Sequence, residues 1–322
     1  MHANCYQISE DLKLVPCDYE SAVSAIHDPA ARTWIDLQGF AAGELEKELD
    51  KLDIEGMSRR MCLESRECPG FYPMQGLTFL VVPVQGVAGS LREVEYVAFI
   101  HRERVLITLR DAQAAPLQRT VTVQESSGWL PDRTTEALVS ALMVAFSLES
   151  LRRTAELREM IATLEERMDR EPRTVETRQI SDQRSELLTL ESVVSAQLPV
   201  LQALLGSDRA SMNAGRTREY LLFALANLQA TDRTLEWLEG RIDLVRSLVV
   251  DHAQDDMNRA LGRLTILSLI FMPMTLLAGI WGMNFQFMPE LSLPSGYPVA
   301  LGSMILVGAG TYLYFRRRGW FD

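Results

Sequence analysis

The sequence predicts an α+β chain: an N-terminal α/β domain, then long helices forming a stalk, then two C-terminal membrane-crossing helices. Three observations predict it. Runs of β-branched and aromatic residues are confined to about the first 110 positions. Apolar residues at helical spacing dominate from residue 134 onward. Two uncharged apolar runs of 19 residues each close the chain.

In the first region, TWIDLQG (33–39) reads as a strand and residues 44–52 as a short acidic helix after Gly43. Residues 77–84, 93–100 and 104–109 complete a small sheet whose last two strands form a hairpin around residues 101–103. The domain is assigned to residues 1–130. After Pro131 the spacing of Leu138, Leu142, Ala145, Leu148 and Leu151 predicts a helix over 134–170, ending near Pro172. A second helix covers about 175–205, with Pro199 expected to kink or interrupt it. Residues 207–215 read as a turn. A third helix starts near Arg216 and meets no breaker before Pro273, so the stalk segment (131–263) runs directly into the first apolar run.

That run, LTILSLIFMPMTLLAGIWG (264–282), and a second, YPVALGSMILVGAGTYLYF (297–315), are each about 28 Å long at roughly 1.5 Å per residue, enough for the hydrocarbon core. Arg259 and Arg263 precede the first, and Arg316, Arg317 and Arg318 open the basic tail (316–322) after the second. The connecting loop (283–296) carries no Lys or Arg and one acid, Glu290. Positive flanks stay inside, so both termini are expected in the cytoplasm, the loop outside, and the chain in the cell inner (plasma) membrane as a multi-pass protein. Glu10 and Asp11 stand where a signal peptide needs an apolar core.

Composition excludes some functions. The 47% hydrophobic content resembles a soluble average because the apolar residues are so unevenly spread. A net charge of −11 argues against a nucleic-acid partner. Cys5, Cys17, Cys62 and Cys68 form no CxxC pair and read as reduced thiols. The four histidines are scattered, and no nucleophile elbow, phosphate loop or HExxH occurs, so no enzyme and no bound cofactor is expected.

Chemistry concentrates where the first run leaves the membrane. Leu261, Leu264, Ser268, Met272, Thr275 and Gly279 recur at three- and four-residue steps and share one helical face. Such a face serves either helix packing or an ion path shared by several copies, since two spans cannot enclose water alone. Gly282 is expected to end the helix as a left-handed cap, leaving its last carbonyls and the negative end of its dipole at the outer mouth. Met283 and then Asn284 follow. A ring of neutral amide oxygens can receive a hydrated divalent ion without stripping its water, and binding stays weak enough to reverse. Glu290 outside the mouth raises the local cation concentration. Asp251, Asp255 and Asp256 do so on the cytoplasmic side, or form a solvated acidic face.

The stretch MNRALGRLTILSLIFMPMTLLAGIWGMNFQFMPELSLPSGYP, followed by a second span and a basic tail, resembles the CorA family of divalent metal-ion transporters. The match rests on Gly-Met-Asn (282–284), Met-Pro-Glu-Leu (288–291) and Gly-Tyr-Pro (296–298) over about sixty residues. A looser likeness continues in TWIDLQGFAAGELEKEL and VLITLR. The resemblance implies a homopentameric funnel, with Gly282, Met283 and Asn284 as the selectivity filter. It implies a pore lined by Asn258, Leu261, Leu264, Met272 and Thr275, and a passive flux of Mg²⁺, with Co²⁺ or Ni²⁺ as companions. A Zn²⁺-transporting branch shares the architecture, and a membrane-anchored helical scaffold is the reading from another class. The helix EYLLFALANLQ (219–229) is apolar where several relatives place regulatory carboxylates, so metal gating there is not implied.

Overall fold

The computed structural model describes residues 2–28, 30–39, 42–64, 67–85, 94–110, 117, 121, 130–207, 215–283 and 294–318. The chain divides into two compact units, Met1–Arg246 and Ser247–Asp322.

The first unit is built on a seven-stranded sheet of β1 (His2–Ile8), β2 (Leu14–Cys17), β3 (Thr33–Gln38), β4 (Gly70–Met74), β5 (Leu77–Gln85), β6 (Val94–Arg102) and β7 (Val105–Arg110). Its order is β2-β1-β3-β7-β6-β5-β4. Among the described strands only β3 and β7 pair in parallel, joining the antiparallel set β2-β1-β3 to the antiparallel meander β4–β7. Every residue of β5 and β7 is buried, which requires cover on both faces. The two-residue period divides that cover. Ile35, Leu37, Phe79, Val81, Ile100 and Ile107 join a core with Leu45 and Leu49 of α2 (Ala42–Lys51) and Met61 and Cys62 of α3 (Gly56–Glu64). A short helix, α1 (Tyr19–Ser24), adds Ala22 to the same core.

The opposite face meets α4 (Thr135–Arg170) and α5 (Thr177–Leu205). Phe99 stacks edge-on against Phe146 at 6.1 Å, and buried Gln197 donates to the Pro83 carbonyl at 2.6 Å. Thr134 caps α4 by accepting from the Ala137 amide, and the helix stops before a 3-10 turn at Pro172–Thr174. The helix α6 (Gly215–Trp281) buries Leu221, Ala224, Leu228, Thr231, Leu235, Leu238, Ile242 and Val245. Those steps of three and four are a heptad seam. Asn227 reaches Ser147 of α4 at 3.3 Å, Arg241 pairs with Glu165 of α4, and Arg184 of α5 with Asp243 at 2.9 Å.

Two expectations are corrected. Of the two outcomes expected at Pro199, interruption is overturned: α5 runs through it as one helix while Val193, Val194, Val200 and Leu201 pin its flanks in the core. The sheet has three strands beyond those the residue pattern predicts: β1, β2 and β4. The two edge strands, β2 and β4, each carry a proline (Pro16, Pro73) whose missing N–H an edge tolerates. The turn proposed at 207–215 lies mostly outside the described residues.

The second unit holds the end of α6 and α7 (Gly296–Arg317). Among the described residues, three helices are long and apolar enough to cross a membrane: α5, α6 and α7. Protein covers 44% of the apolar stretch of α5 but 6% of the stretches in α6 and α7. Burial against the sheet identifies α5 as a domain helix, and the exposed apolar surfaces of α6 and α7 require a non-aqueous surrounding. Met274 of α6 meets Gly308 of α7, where a Cβ would stand 2.9 Å from the Met274 sulfur.

Candidate functional site

The heptad seam of α6 ends at Val245, and charge disappears from the helix after Arg263. Beyond that point Ser268, Met272, Thr275, Gly279 and Met283 line one shallow groove with Phe271, Pro273, Leu276 and Ile280. Four of the face positions read from the sequence therefore share a surface with Met283. Leu261 and Leu264 are exposed on the same helix but outside that groove, as is Asn258, which accepts from Gln254 at 3.3 Å. Leu276 and Ile280 follow Met272 at steps of four, and Phe271 stands one such step before Thr275; Pro273 lies on neither row.

Among the described residues no charged side chain lines the groove. Thr275 donates to the Phe271 carbonyl at 2.8 Å and Ser268 to the Leu264 carbonyl at 3.0 Å. Each hydroxyl proton is thus used inside the helix, and what the oxygens present outward is acceptor capacity. Pro273 has no N–H, so the helical donor for the Leu269 carbonyl is missing one turn earlier.

The helix exit differs from expectation. Gly282 is not among the glycines with positive φ, so it is no left-handed cap. Its amide donates to the Ala278 carbonyl at 2.9 Å, and the Met283 amide reaches the Ile280 carbonyl at 3.3 Å, tightening the last turn. A Cβ at 282 would lie 3.1 Å from the Ala278 oxygen, a tight contact with the carbonyl that the Gly282 amide bonds. Asn284 and Glu290 lie outside the described residues. Asp251 and Asp255 are exposed one turn apart and Asp256 is half-buried. Among the described residues no group of three or more His, Cys, Asp or Glu side chains could hold a metal ion.

The family described as CorA-like Mg²⁺ transporter protein matches residues 30–317, nearly the whole chain. The chain belongs to this CorA family. The magnesium transport protein CorA of Mannheimia succiniciproducens is 35% identical over 96 residues, a stretch that spans only 30% of this chain and 30% of that relative. The CorA magnesium transporter of Methanocaldococcus jannaschii shares the fold over 99% of both chains, with a TM-score of 0.84 at 17% identity. The ZntB cytoplasmic domain from Vibrio parahaemolyticus covers 79% of this chain and 98% of its own length, with a TM-score of 0.63 at 11% identity. The CorA layout of an α/β domain, long helices and two apolar C-terminal helices is therefore shared along the chain, while close sequence identity is confined to part of it.

Proposed function

We propose that this CorA-family chain conducts divalent metal ions, Mg²⁺ foremost with Co²⁺ and Ni²⁺ as companions, across the cell inner membrane through a homopentameric pore. The observation that carries the reading is the uncharged groove along α6, lined by Ser268, Met272, Thr275 and Gly279 and leading to Met283 at the helix exit. Two spans cannot enclose water, so each copy contributes one α6 face to a shared axis. A groove of hydroxyl acceptors and apolar side chains holds no ion tightly, which suits passage of an ion that keeps its water. Leu264 and Met272 form the hydrophobic constriction. Asn284, directly after Met283, supplies the ring of amide oxygens that admits the hydrated ion, and Glu290 concentrates cations outside. Both termini face the cytoplasm, where Asp251 and Asp255 attract the ion without binding it in a defined cage.

Zn²⁺ is the second reading, favoured by the fold likeness to a ZntB cytoplasmic domain. Flux into proteoliposomes of Mg²⁺, Co²⁺, Ni²⁺ and Zn²⁺, each in a separate run, decides between them. Asn284→Ala should collapse the flux of the preferred ion. Unchanged flux through a correctly assembled mutant would overturn the filter, and no flux of any ion through the wild type would leave a membrane-anchored scaffold.

A further inference from the structure

We propose that Cys5 and Cys17 are a cross-strand dithiol that small-molecule disulfides convert to a reversible intramolecular disulfide. The two residues stand directly opposite each other in the antiparallel β1–β2 pair. Side chains at directly opposed positions leave the same face of a sheet. That face is confirmed by packing: buried Cys5 belongs to the core under α1, α2 and α3, and Cys17 packs against the same core. The Ser9 amide donates to the Lys13 carbonyl. Counting back in steps of two from that pair makes Cys5–Cys17 a hydrogen-bonded pair, whose Cα atoms lie about 5.5 Å apart. Disulfides span Cα separations of about 4.4–6.8 Å.

The Cβ atoms of opposed residues lie about 4.5–5.5 Å apart, further than a relaxed disulfide prefers, so closing the bond requires a small shift. The strand that must shift is β2, four residues long and paired on one side only. A bond closed with residual strain is more easily reduced, which makes this modification reversible instead of a permanent staple.

The two thiols have separate roles. Cys5 is 4% exposed, and burial, with the Cys17 thiol and the Asp36 and Asp18 carboxylates, pushes it up to about 12. Cys17 is half-buried and raised by burial and by Asp18. Cys17 is therefore the entry point. Its thiolate attacks one sulfur of a disulfide such as glutathione disulfide, the S–S bond breaks, and one glutathione thiol leaves. Cys5 then gives up its proton and attacks the Cys17 sulfur of the mixed disulfide, displacing the second glutathione. Two protein thiols are oxidised, one small disulfide is reduced to two thiols, and the protein protons end on the leaving thiolates. Cys62, buried in α3 and also pushed up to about 12, and Cys68, exposed before β4, lie outside any strand register and serve as internal references.

The test treats the full chain in detergent with glutathione disulfide under native conditions and maps its peptides by mass spectrometry. A Cys5–Cys17 linked pair should accumulate and disappear with dithiothreitol, while Cys68 carries a glutathione adduct and Cys62 stays reduced. Cys17→Ser should lose the link with Cys5 left unmodified, and Cys5→Ser should stop at a Cys17–glutathione adduct. A wild-type protein that keeps the Cys17 adduct without linking, or links only in urea, overturns the proposal. The wild-type map decides alone, so the test holds even where a variant fails to fold.

Discussion

At the scale of single residues, a large energetic stake in the first unit is an ion pair at the parallel junction of the sheet. Arg110 reaches both oxygens of Asp36, the shortest contact being 2.6 Å, with 3% and 4% of the side chains exposed. Thr108 donates to Asp36 at 2.7 Å and receives the Trp34 indole N–H at 3.0 Å, so β7 binds the β3 carboxylate through both Arg110 and Thr108. Removing one partner leaves the other charge buried, and Arg110→Ala is expected to destabilise the unit by about 3–5 kcal/mol, read by urea unfolding followed through tryptophan fluorescence. A smaller device sits at the start of α1. Asp18 accepts from the Ser21 hydroxyl and amide, at 2.7 and 3.0 Å, and those bonds hold its carboxyl below the ordinary value. A depressed folded-state value means the cap contributes above the unfolded carboxyl range of about 3.9 and is lost as pH falls through the lower folded value. Protection of the Ser21 amide from hydrogen exchange, corrected for the intrinsic rate, should drop in that acid window. Asp18→Ser, which caps without titrating, should keep it.

At the scale of elements, the period of the apolar residues decides what could be read in advance. Helices α4, α5 and α6 were legible because one buried face repeats at steps of three and four over many turns. The runs at β3, β5, β6 and β7 were legible because strands covered on both faces are nearly continuous in apolar residues. The edge strands β2 and β4 and the interior strand β1 were not, since HANCYQI buries only Cys5 and Ile8 and the edges are broken by Pro16 and Pro73. The Asp36 network escaped notice for a related reason: its partners lie more than seventy positions apart in sequence. At the site, the face of α6 was legible from spacing, whereas the conformation of Gly282 was not, because a tight right-handed turn and a left-handed cap both favour glycine. The contact between α6 and α7 shows a third use of the residue. Gly308 faces the Met274 sulfur so closely that Gly308→Val must displace it, at a cost of roughly 1–3 kcal/mol for overpacking. The thermal midpoint in detergent should fall, and Met274→Ala in the same chain should recover part of the loss. A fall of the same size in the double variant would show that the pair does not share one space.

At the scale of the whole molecule, one property separates the two units: where the apolar surface goes. In Met1–Arg246 it is consumed by the sheet, by α4 and α5, and by the heptad seam of α6 that ends at Val245. In Ser247–Asp322 it is left outside, on Leu264, Phe271, Met272, Leu276, Ile305 and Leu306 among others. Length and composition alone would count α5 as a third membrane span, and three spans would put the chain ends on opposite sides. Burial argues otherwise, because Leu187, Leu190, Val193, Val194 and Leu204 are already covered by protein and Gln197 is tied to β5. A fragment of residues 1–246 should therefore fold and remain in solution without detergent. Its exposed Leu222, Phe223, Trp237 and Leu244 permit self-association. Sedimentation of the fragment with and without lipid vesicles checks the point. A soluble, helical species that ignores vesicles fits two spans per chain, and partition into the vesicles would mean that α5 leaves the sheet for the bilayer.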